Sequence, residues 1–255
     1  MKHLLLYVGL GLSAFAAFAI IFAPASAVWL LIGDRVEATL PQLRVFSVDG
    51  TVWSGSSDFQ YQEFPVSYLE WNLDPLSVFG GSADMDLNLT GEGLRIQAHG
   101  SISARQMEIQ QFSGFVDSDY INAASQQYGL TFSGRLDIVR LLVTFDHRWV
   151  TEASGKFNWD GGRVIFQSAA QVQVLDLPPL SGKLYSGDPQ LHLDVQHEQE
   201  PVLEVILKPT GWAAVNLKGR LFEIGGITWP GGPDPDATAL RVEERIFPGL
   251  SEDSS

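Results

Sequence analysis

The chain has no cysteine among its 255 residues, and it has few basic ones. Without thiols, neither a disulfide bond nor a thiolate metal site can form, and cysteine usage says nothing about the compartment. Only 16 Lys and Arg residues stand against 30 Asp and Glu, which gives a formal net charge of −14. Phosphate backbones are bound by clustered Lys and Arg, and the sequence has no basic run. We therefore expect no nucleic-acid partner.

The short motifs of common active sites are also missing. Neither an HExxH metal motif nor a GxSxG nucleophile turn occurs. His192 and His197 are five residues apart in a predicted strand, so their side chains point to opposite faces and share no local metal site. Asp146-His147 is the pair that a hydrolase would use, and we interpret it as a surface pair. The sequence thus predicts that the protein is not an enzyme and has no cofactor and no catalytic, cofactor-binding or metal-binding residue.

What the sequence does have is one long apolar run at its N-terminus. No charged residue occurs from Leu4 to Gly33, and Leu4 to Ala23 alone supply roughly the 20 apolar residues of a membrane-spanning helix. We predict a retained membrane anchor. Its apolar residues are Leu4, Leu5, Leu6, Val8, Leu12, Phe15, Phe18, Ile20, Ile21 and Phe22. The alternative is a cleaved signal peptide with its cleavage site at Ala25-Ser26-Ala27. We favour the anchor because the apolar run continues beyond that site to Ile32.

The charges around this run predict its orientation. Lys2 and the α-amino group precede the run, whereas Asp34, Arg35 and Glu37 follow it without a basic excess. The positive-inside rule then puts the N-terminus in the cytoplasm. We predict a single-pass protein of the cell inner membrane with three parts. They are a cytoplasmic tip and transmembrane anchor (residues 1–33), a periplasmic β-rich domain (residues 34–232) and a flexible acidic tail (residues 233–255).

Beyond the anchor, apolar and polar residues alternate. The segments Met85–Leu89, Leu94–Ala98 and Leu191–Val195 place an apolar side chain at every second position, which puts these side chains on one face of a strand. Turns rich in glycine and aspartate separate such segments and favour antiparallel pairing. We predict an all-β fold, in which one N-terminal transmembrane helix precedes a twisted antiparallel β-sheet domain, groove-like or sandwich-like, with two related halves as an option. A short helix is predicted from Ser118 to Tyr128, with Ser118 as its N-cap.

Tryptophans next to glycines form a recurrent unit. Gly50, Trp53 and Gly55 form the first instance, and Gly155 and Trp159 form the second, about one hundred residues later. A large ring beside a glycine can cover exposed backbone, and its indole N–H can still reach an acceptor. We interpret Trp53, Trp71 and Trp159 as structural residues that close the ends of the sheet core. The sharper alternative is that the rings line a groove for an acyl chain or a partner strand.

The order of these features resembles a known family. A single N-terminal membrane helix precedes Gly50-Thr-Val-Trp53-Ser-Gly55. The segment Leu-Glu-Trp71-Asn-Leu-Asp-Pro75-Leu and a later Gly155-Lys-Phe-Asn-Trp159 unit follow. Together they are similar to type II secretion system protein N, an inner-membrane component of the general secretion pathway of Gram-negative bacteria. The resemblance implies a role in exporting proteins across the outer membrane. It implies other secretion subunits and the inner membrane as partners, and it transfers no catalytic residue.

Two functions from different classes follow from this reasoning. The first is a periplasmic component of the secretion machinery that acts by protein–protein contact, and strand addition at a sheet edge is one contact mode. The alternative is a lipid-handling β-groove protein of the outer-membrane biogenesis type. In that case an acyl chain would be its ligand, whereas other small-molecule ligands are not expected.

Overall fold

The computed structural model describes residues 7, 10–12, 15, 18–126, 129–146, 149–167, 172–187, 189–227 and 234–246. The chain divides into two compact units, Met1–Glu92 and Gly93–Ser255. Antiparallel strands dominate both units, which confirms the predicted all-β class. The predicted segments Met85–Leu89, Leu94–Ala98 and Leu191–Val195 each lie within a strand. The period-two pattern therefore located the strands correctly at these places.

The first unit is an antiparallel meander flanked by helices. Its strands follow one another in the sheet in chain order, and each pairs with the next. They are β1 (Leu43–Gly50), β2 (Ser54–Tyr61), β3 (Ser67–Leu73) and β4 (Ser82–Gly91). Helix α1 (Ala25–Thr39) precedes the strands, and the one-turn helix α2 (Pro75–Phe79) connects β3 to β4.

Pro75 marks the start of α2. The carboxylate of Asp74 accepts the backbone N–H of Leu76 at 2.9 Å, which is the N-cap interaction, and Pro75 occupies the first helical turn. Proline suits this position because its φ is already helical and its missing N–H would have had no helical acceptor. The segment that follows Trp71 therefore ends a strand and begins a helix within a few residues.

The second unit contains the remaining strands. They are β5 (Leu94–Ser103), β6 (Gln106–Asp117), β7 (Leu130–Phe132), β8 (Arg135–Asp146), β9 (Val150–Trp159), β10 (Gly162–Gln167), β11 (Val172–Leu177), β12 (Leu180–Gly187), β13 (Gln190–His197), β14 (Glu200–Leu207), β15 (Trp212–Lys218) and β16 (Thr238–Arg245). Nine of them pair in the order β5-β6-β8-β9-β12-β13-β14-β15-β16, and the other three form a small sheet in the order β11-β10-β7. All of these pairings are antiparallel.

Two short helices complete this unit, α3 (Ser118–Ser125) and α4 (Gly219–Ile224). The helix predicted from Ser118 is thus confirmed, but its N-cap residue is Asp117 and no side chain caps it. Asn122 of α3 holds the helix against β7: its side chain donates to the carbonyl of Phe132 at 2.9 Å and accepts the N–H of Phe132 at 2.6 Å.

The core is distributed thinly along the strands. Among the described side chains, Val202 of β14 is the one large apolar group with essentially no exposed surface. Ala213 and Ala214 of β15 and Asn216 beside them are also buried. Asn216 donates to the carboxylate of Glu204 at 3.1 Å, which satisfies its amide on the neighbouring strand.

The N-terminal residues are helical wherever they are described. We call positions 7, 10–12, 15 and 18–21 the N-terminal helical segment. The predicted anchor residues Leu12, Phe15, Phe18, Ile20, Ile21 and Phe22 are all exposed, whereas Leu4, Leu5, Leu6 and Val8 lie outside the described residues. In the part of the chain that the structure describes, no helix combines the length and apolarity that crossing a membrane requires. The transmembrane anchor stays a prediction.

The segment predicted as a flexible acidic tail, with a short docked segment as an option, contains one described strand. Residues Thr238–Arg245 form β16, which pairs with β15 from Trp212 to Lys218. Sparse apolar residues suggested a tail without a core, but a strand at a sheet edge needs backbone partners more than buried side chains. Residues 228–233 and 247–255 lie outside the described residues. The boundaries at residues 33 and 232 stay predictions, and α1 runs across the first of them.

Candidate functional site

A tight turn between β1 and β2 is the centre of the first glycine–tryptophan unit. We call residues 50–55 the attachment turn. Gly50 and Gly55 pair across the hairpin, and Gly50 has a φ of +84°, which side chains other than hydrogen rarely adopt. A Cβ on Gly55 would collide with the carbonyl oxygen of Asp49 and would lie 2.5 Å from Cζ2 of Trp71. Both glycines are therefore required by the geometry of the turn.

Trp71 of β3 closes the attachment turn from the neighbouring strand. It is the registered partner of Gly55, so its half-buried ring fills the space that the missing Cβ leaves. Its indole N–H donates to the carbonyl of Val52 at 3.1 Å and to that of Thr51 at 3.3 Å. One ring thus covers the turn and satisfies two of its acceptors.

Trp53 has a different role from Trp71. Its indole N–H donates to the carbonyl of Ile20 at 2.8 Å. The N–H of Val52 donates to the carbonyl of Ala23 at 3.0 Å, and Pro24 forms a β-bridge with Thr51. The last carbonyls of a helix lack helical donors, and the attachment turn supplies them here. The turn therefore fastens the end of the N-terminal helical segment to the sheet.

An apolar cavity of about 390 Å³ lies between α1 and the strands β1 to β3. Its lining residues are Ala25, Val28, Trp29, Ile32, Leu43, Val45, Val48, Val52, Ser57, Phe59, Leu69 and Trp71. None of these described lining residues is charged. Ser57 supplies the one hydroxyl, and that hydroxyl already donates to the carbonyl of Ser47 at 2.8 Å. The cavity offers space to an apolar group and no polar contact to fix a polar one.

The second unit has its own ring-and-glycine pair, made by Trp159 and Gly134. Trp159 ends β9, and its indole N–H donates to the carbonyl of Ser133 at 3.1 Å. Gly134 has a φ of +92°, and a Cβ there would lie 2.9 Å from Nε1 of Trp159 and would collide with the carbonyl oxygen of Gly161. A side chain at Gly134 would therefore meet the ring of Trp159, just as a side chain at Gly55 would meet the ring of Trp71.

Gly155 takes no part in this pair. It lies in the middle of β9, where it pairs with Leu141 of β8 and Leu184 of β12. A Cβ on Gly155 would lie 3.0 Å from Cδ1 of Leu141 and 3.1 Å from the carbonyl oxygen of Arg140. The sequence grouped Gly155 with Trp159, but the structure assigns Gly155 to close packing between strands. This difference arises because cross-strand register decides which ring meets which glycine.

Sequence reasoning missed Ser133 and Gly134, although a signal for them exists. An aromatic residue followed by Ser-Gly occurs four times, at residues 53–55, 112–114, 132–134 and 185–187, and the first and third of these triplets lie at the two ring sites. In both cases a tryptophan from a later strand bonds to a carbonyl within or just before this triplet. The triplet is therefore a signal for Ser133 and Gly134, but it occurs at two further places and would not have singled out the ring sites by itself.

Charged and titratable side chains of the second unit contact one another. Arg135 forms an ion pair with Asp117 at 2.6 Å and stacks over the ring of Phe115 at 4.1 Å. The hydrogen bond that Arg135 donates to Asp117 raises the pKa of Arg135, so the guanidinium stays charged. The pKa of Tyr185 is also raised. Burial is the larger cause, and a hydrogen bond with Asp194 is the next. Among the residues described, no three His, Asp or Glu side chains come close enough together to hold a metal ion. His147 lies outside the described residues.

Comparison with known proteins places these features in one family. The sequence model of "Type II secretion system (T2SS), protein N" matches residues 41–223, which is more than half of the chain. The matched range begins just before β1 and ends in α4, so it contains the attachment turn, Trp71 and the Trp159 site. No curated protein and no solved structure matches the chain. The chain belongs to the type II secretion system protein N family.

Proposed function

We propose that the protein is anchored in the inner membrane by its N-terminal helical segment and acts in the periplasm by contact with other secretion subunits, without making or breaking bonds. The family match supports a role as a component of the type II secretion system. The observation that carries the finer proposal is the attachment turn, which bonds the end of an apolar helix directly to the sheet.

The apolar surface of the N-terminal helical segment supports the membrane part of the proposal. Leu12 and Phe15 are each 71% exposed, and Phe18 is 61% exposed. Leaving such a side chain in water costs about 1.5–3 kcal/mol relative to burying it. Leu30 and Leu31 of α1 add two more exposed apolar groups. In the hydrocarbon core of a membrane, none of these exposed apolar side chains would carry this cost.

The attachment turn determines how a tether of this kind would work. A flexible linker would let the sheet drift relative to the membrane. Here Trp53 and Val52 bond to the carbonyls of Ile20 and Ala23, at 2.8 Å and 3.0 Å. The strands of the first unit are thereby held in a fixed direction relative to the apolar segment. A partner subunit then meets the same surface each time, which lowers the entropic cost of binding.

Topology is tested with single cysteines, because the chain has none of its own. We expect Gln196→Cys in β13 to react with a membrane-impermeant maleimide in spheroplasts. We expect Lys2→Cys to react only after the cells are lysed. Reaction of Lys2→Cys in intact spheroplasts, or recovery of the protein without its first 27 residues, would contradict the proposed anchor.

Partner contact is tested by co-purification of the full chain with the secretion complex in mild detergent. Trp53→Phe removes the hydrogen bond to Ile20 and keeps an aromatic ring. We expect it to stay in the membrane fraction but to lose co-purification several-fold. Trp149→Phe is the matched control, since it removes an indole bond, to the carbonyl of Pro189, in the other unit. Equal recovery of both variants would count against a role for the attachment turn in partner contact.

A second candidate function is favoured by the apolar cavity. A volume of about 390 Å³ with no charged lining residue suits a lipid acyl chain. We therefore keep lipid handling as the alternative. Native mass spectrometry of the full chain, released from detergent, would show a bound lipid if this alternative holds. Val45→Trp should fill the cavity and remove the lipid, whereas Leu31→Trp on the exposed side of α1 should not. A lipid-free wild-type protein would dismiss the alternative.

A further inference from the structure

The last strand that the structure describes lies outside the part that matches the family. The match ends at residue 223, within α4, whereas β16 begins at Thr238. In the matched part, β15 is the final strand of its sheet, and β16 covers its outer edge. An uncovered edge offers a row of free backbone N–H and C=O groups. Strand β16 therefore covers an edge that the matched range alone would leave open.

The two strands at this edge differ in how firmly they are held. Ala213, Ala214 and Asn216 of β15 are buried. In contrast, seven of the eight residues of β16 are exposed, and its inner apolar residues Leu240 and Val242 remain 48% and 43% exposed. Its sheet partner among the described strands is β15. Backbone pairing, more than side-chain burial, keeps β16 in place.

Arg220 clamps the chain where it enters β16. Its guanidinium forms ion pairs with Asp236 at 2.8 Å and with Glu200 of β14 at 3.3 Å. Its backbone N–H donates to the carbonyl of Pro235 at 2.8 Å. The Nε atom of Arg220 is buried and has no hydrogen-bond partner among the described residues. If the segment that contains Asp236 left, Glu200 would stay beside Arg220. Another carboxylate could then take the position of Asp236 and pair with the guanidinium.

We propose that the outer edge of β15 is a strand-exchange site, at which an extended segment of a partner protein replaces β16. The incoming segment would carry apolar residues opposite Val215 and Leu217 and an acidic residue opposite Arg220. Exchange of one strand for another conserves the backbone hydrogen bonds, so the side-chain contacts of the partner must outweigh both those of β16 and the advantage that β16 has as part of the same chain. This inference deepens the proposed function, because it names the surface through which a protein partner is bound.

The absence of cysteine makes the exchange directly testable. Val215 and Val242 are registered partners on β15 and β16, so Val215→Cys/Val242→Cys should form a disulfide that locks β16. Leu184→Cys/Leu193→Cys, a registered pair on β12 and β13, is the matched control. The probe is a fluorescein-labelled peptide of residues 234–246, added to the full chain in mild detergent, and the measurement is fluorescence polarisation.

We expect the peptide to bind the reduced Val215→Cys/Val242→Cys protein and the wild type equally. Oxidation should weaken binding by at least about tenfold, and reductant should restore it. Oxidation of the Leu184→Cys/Leu193→Cys control should change nothing. A peptide with Asp236→Asn should bind several-fold more weakly, because Arg220 loses one carboxylate.

Three results would overturn the proposal. The first is no binding to the reduced protein up to about 1 mM peptide. The second is equal binding to the oxidised and reduced forms. The third is a disulfide-linked dimer of Val215→Cys/Val242→Cys on a non-reducing gel, which would assign the edge to a second copy of the chain. None of these readouts needs the secretion complex, so their failure is distinct from failure of the proposed function.

Discussion

The two units use the same local device to fasten different helices. In the first unit Trp71 covers the Gly55 turn, and Trp53 in that turn bonds to Ile20 at the end of the N-terminal helical segment. In the second unit Trp159 bonds to Ser133 beside Gly134, and the preceding Phe132 is bonded through its backbone to Asn122 of α3. At these two sites a tryptophan ring holds the aromatic-Ser-Gly triplet, and the aromatic residue of the triplet takes part in the attachment of a helix.

The comparison has a functional consequence. Phe132 has no polar side-chain atom, so the second unit attaches its helix through the backbone alone. Trp53 adds an indole donor that reaches outward to a helix carbonyl. The first unit therefore has a contact to the apolar N-terminal segment that has no counterpart among the described residues of the second unit. We infer that the shared device stabilises each sheet, and that the extra indole of Trp53 serves the attachment.

The largest expected effect comes from the two glycines that face the rings. We expect Gly55→Ala and Gly134→Ala each to destabilise the protein by about 3 kcal/mol or more, because their new Cβ atoms would collide with backbone oxygens. Gly81→Ala is the control: Gly81 has a φ of +92° but no neighbour within 4 Å. It should cost only about 1 kcal/mol of backbone strain. Thermal unfolding of the full chain by circular dichroism checks this order. If Gly55→Ala or Gly134→Ala costs as little stability as Gly81→Ala, the two units do not share the ring-and-glycine arrangement.

The next effect concerns the rings themselves. We expect Trp71→Phe and Trp159→Phe each to cost about 2 kcal/mol, because ring volume and an indole donor are lost together. Trp53→Phe should cost less, about 1 kcal/mol, since its bond to Ile20 lies at an exposed position. Urea unfolding of the three variants gives the comparison. An equal loss for Trp53→Phe and Trp71→Phe would remove the distinction between support and attachment.

A smaller, local effect separates the two attachments. Asn122→Ala leaves the N–H and carbonyl of Phe132 without their side-chain partner, which should cost about 1–3 kcal/mol within the second unit. Hydrogen exchange should then speed up at the Phe132 amide and stay unchanged at the Val52 amide. Trp53→Phe should show the reverse pattern. Faster exchange at both amides in either variant would show that the attachments are not independent.

The smallest expected effect lies at β16, which belongs to neither ring site. A hydrogen bond from Arg241, at 2.5 Å, lowers the pKa of Glu243 below its usual value. A lowered carboxyl pKa stabilises the fold at neutral pH, and this contribution is lost as the pH falls through the folded-state pKa. Because the pair is exposed, we expect only a slight loosening of β16 at acid pH. NMR titration of the Glu243 carboxyl measures it, and a normal pKa would contradict the expectation.

Much of this arrangement could be predicted from the sequence. The alternation of apolar and polar residues located strands, and the three motifs around Trp53, Trp71 and Trp159 indicated the family. The indole N–H groups of all three tryptophans reach backbone carbonyls, as the large amphipathic ring allows. Local chemistry is enough for such inferences, because periodicity and residue type act over a few positions.

The partners of the rings could not be predicted in the same way. Gly55 meets Trp71 because β2 and β3 pair in one particular register, and Trp159 meets Gly134 across a separation of 25 residues. Register depends on turn geometry and on the burial of whole strands, which no short motif encodes. Strand β16 was missed for a related reason. Its sequence has few apolar residues, and the open edge of β15 that receives it is a property of the fold.

The central claim is that the attachment turn fastens the apolar N-terminal segment to the sheet. Disulfide formation in Pro24→Cys/Thr51→Cys tests it most directly, because these residues form a β-bridge and the chain has no other cysteine. In membrane vesicles we predict nearly complete oxidation to an intrachain disulfide. We predict none for the control Pro24→Cys/Gln62→Cys, whose second cysteine lies beyond the far end of β2. Absence of the first disulfide, or equal formation of both, would contradict the account.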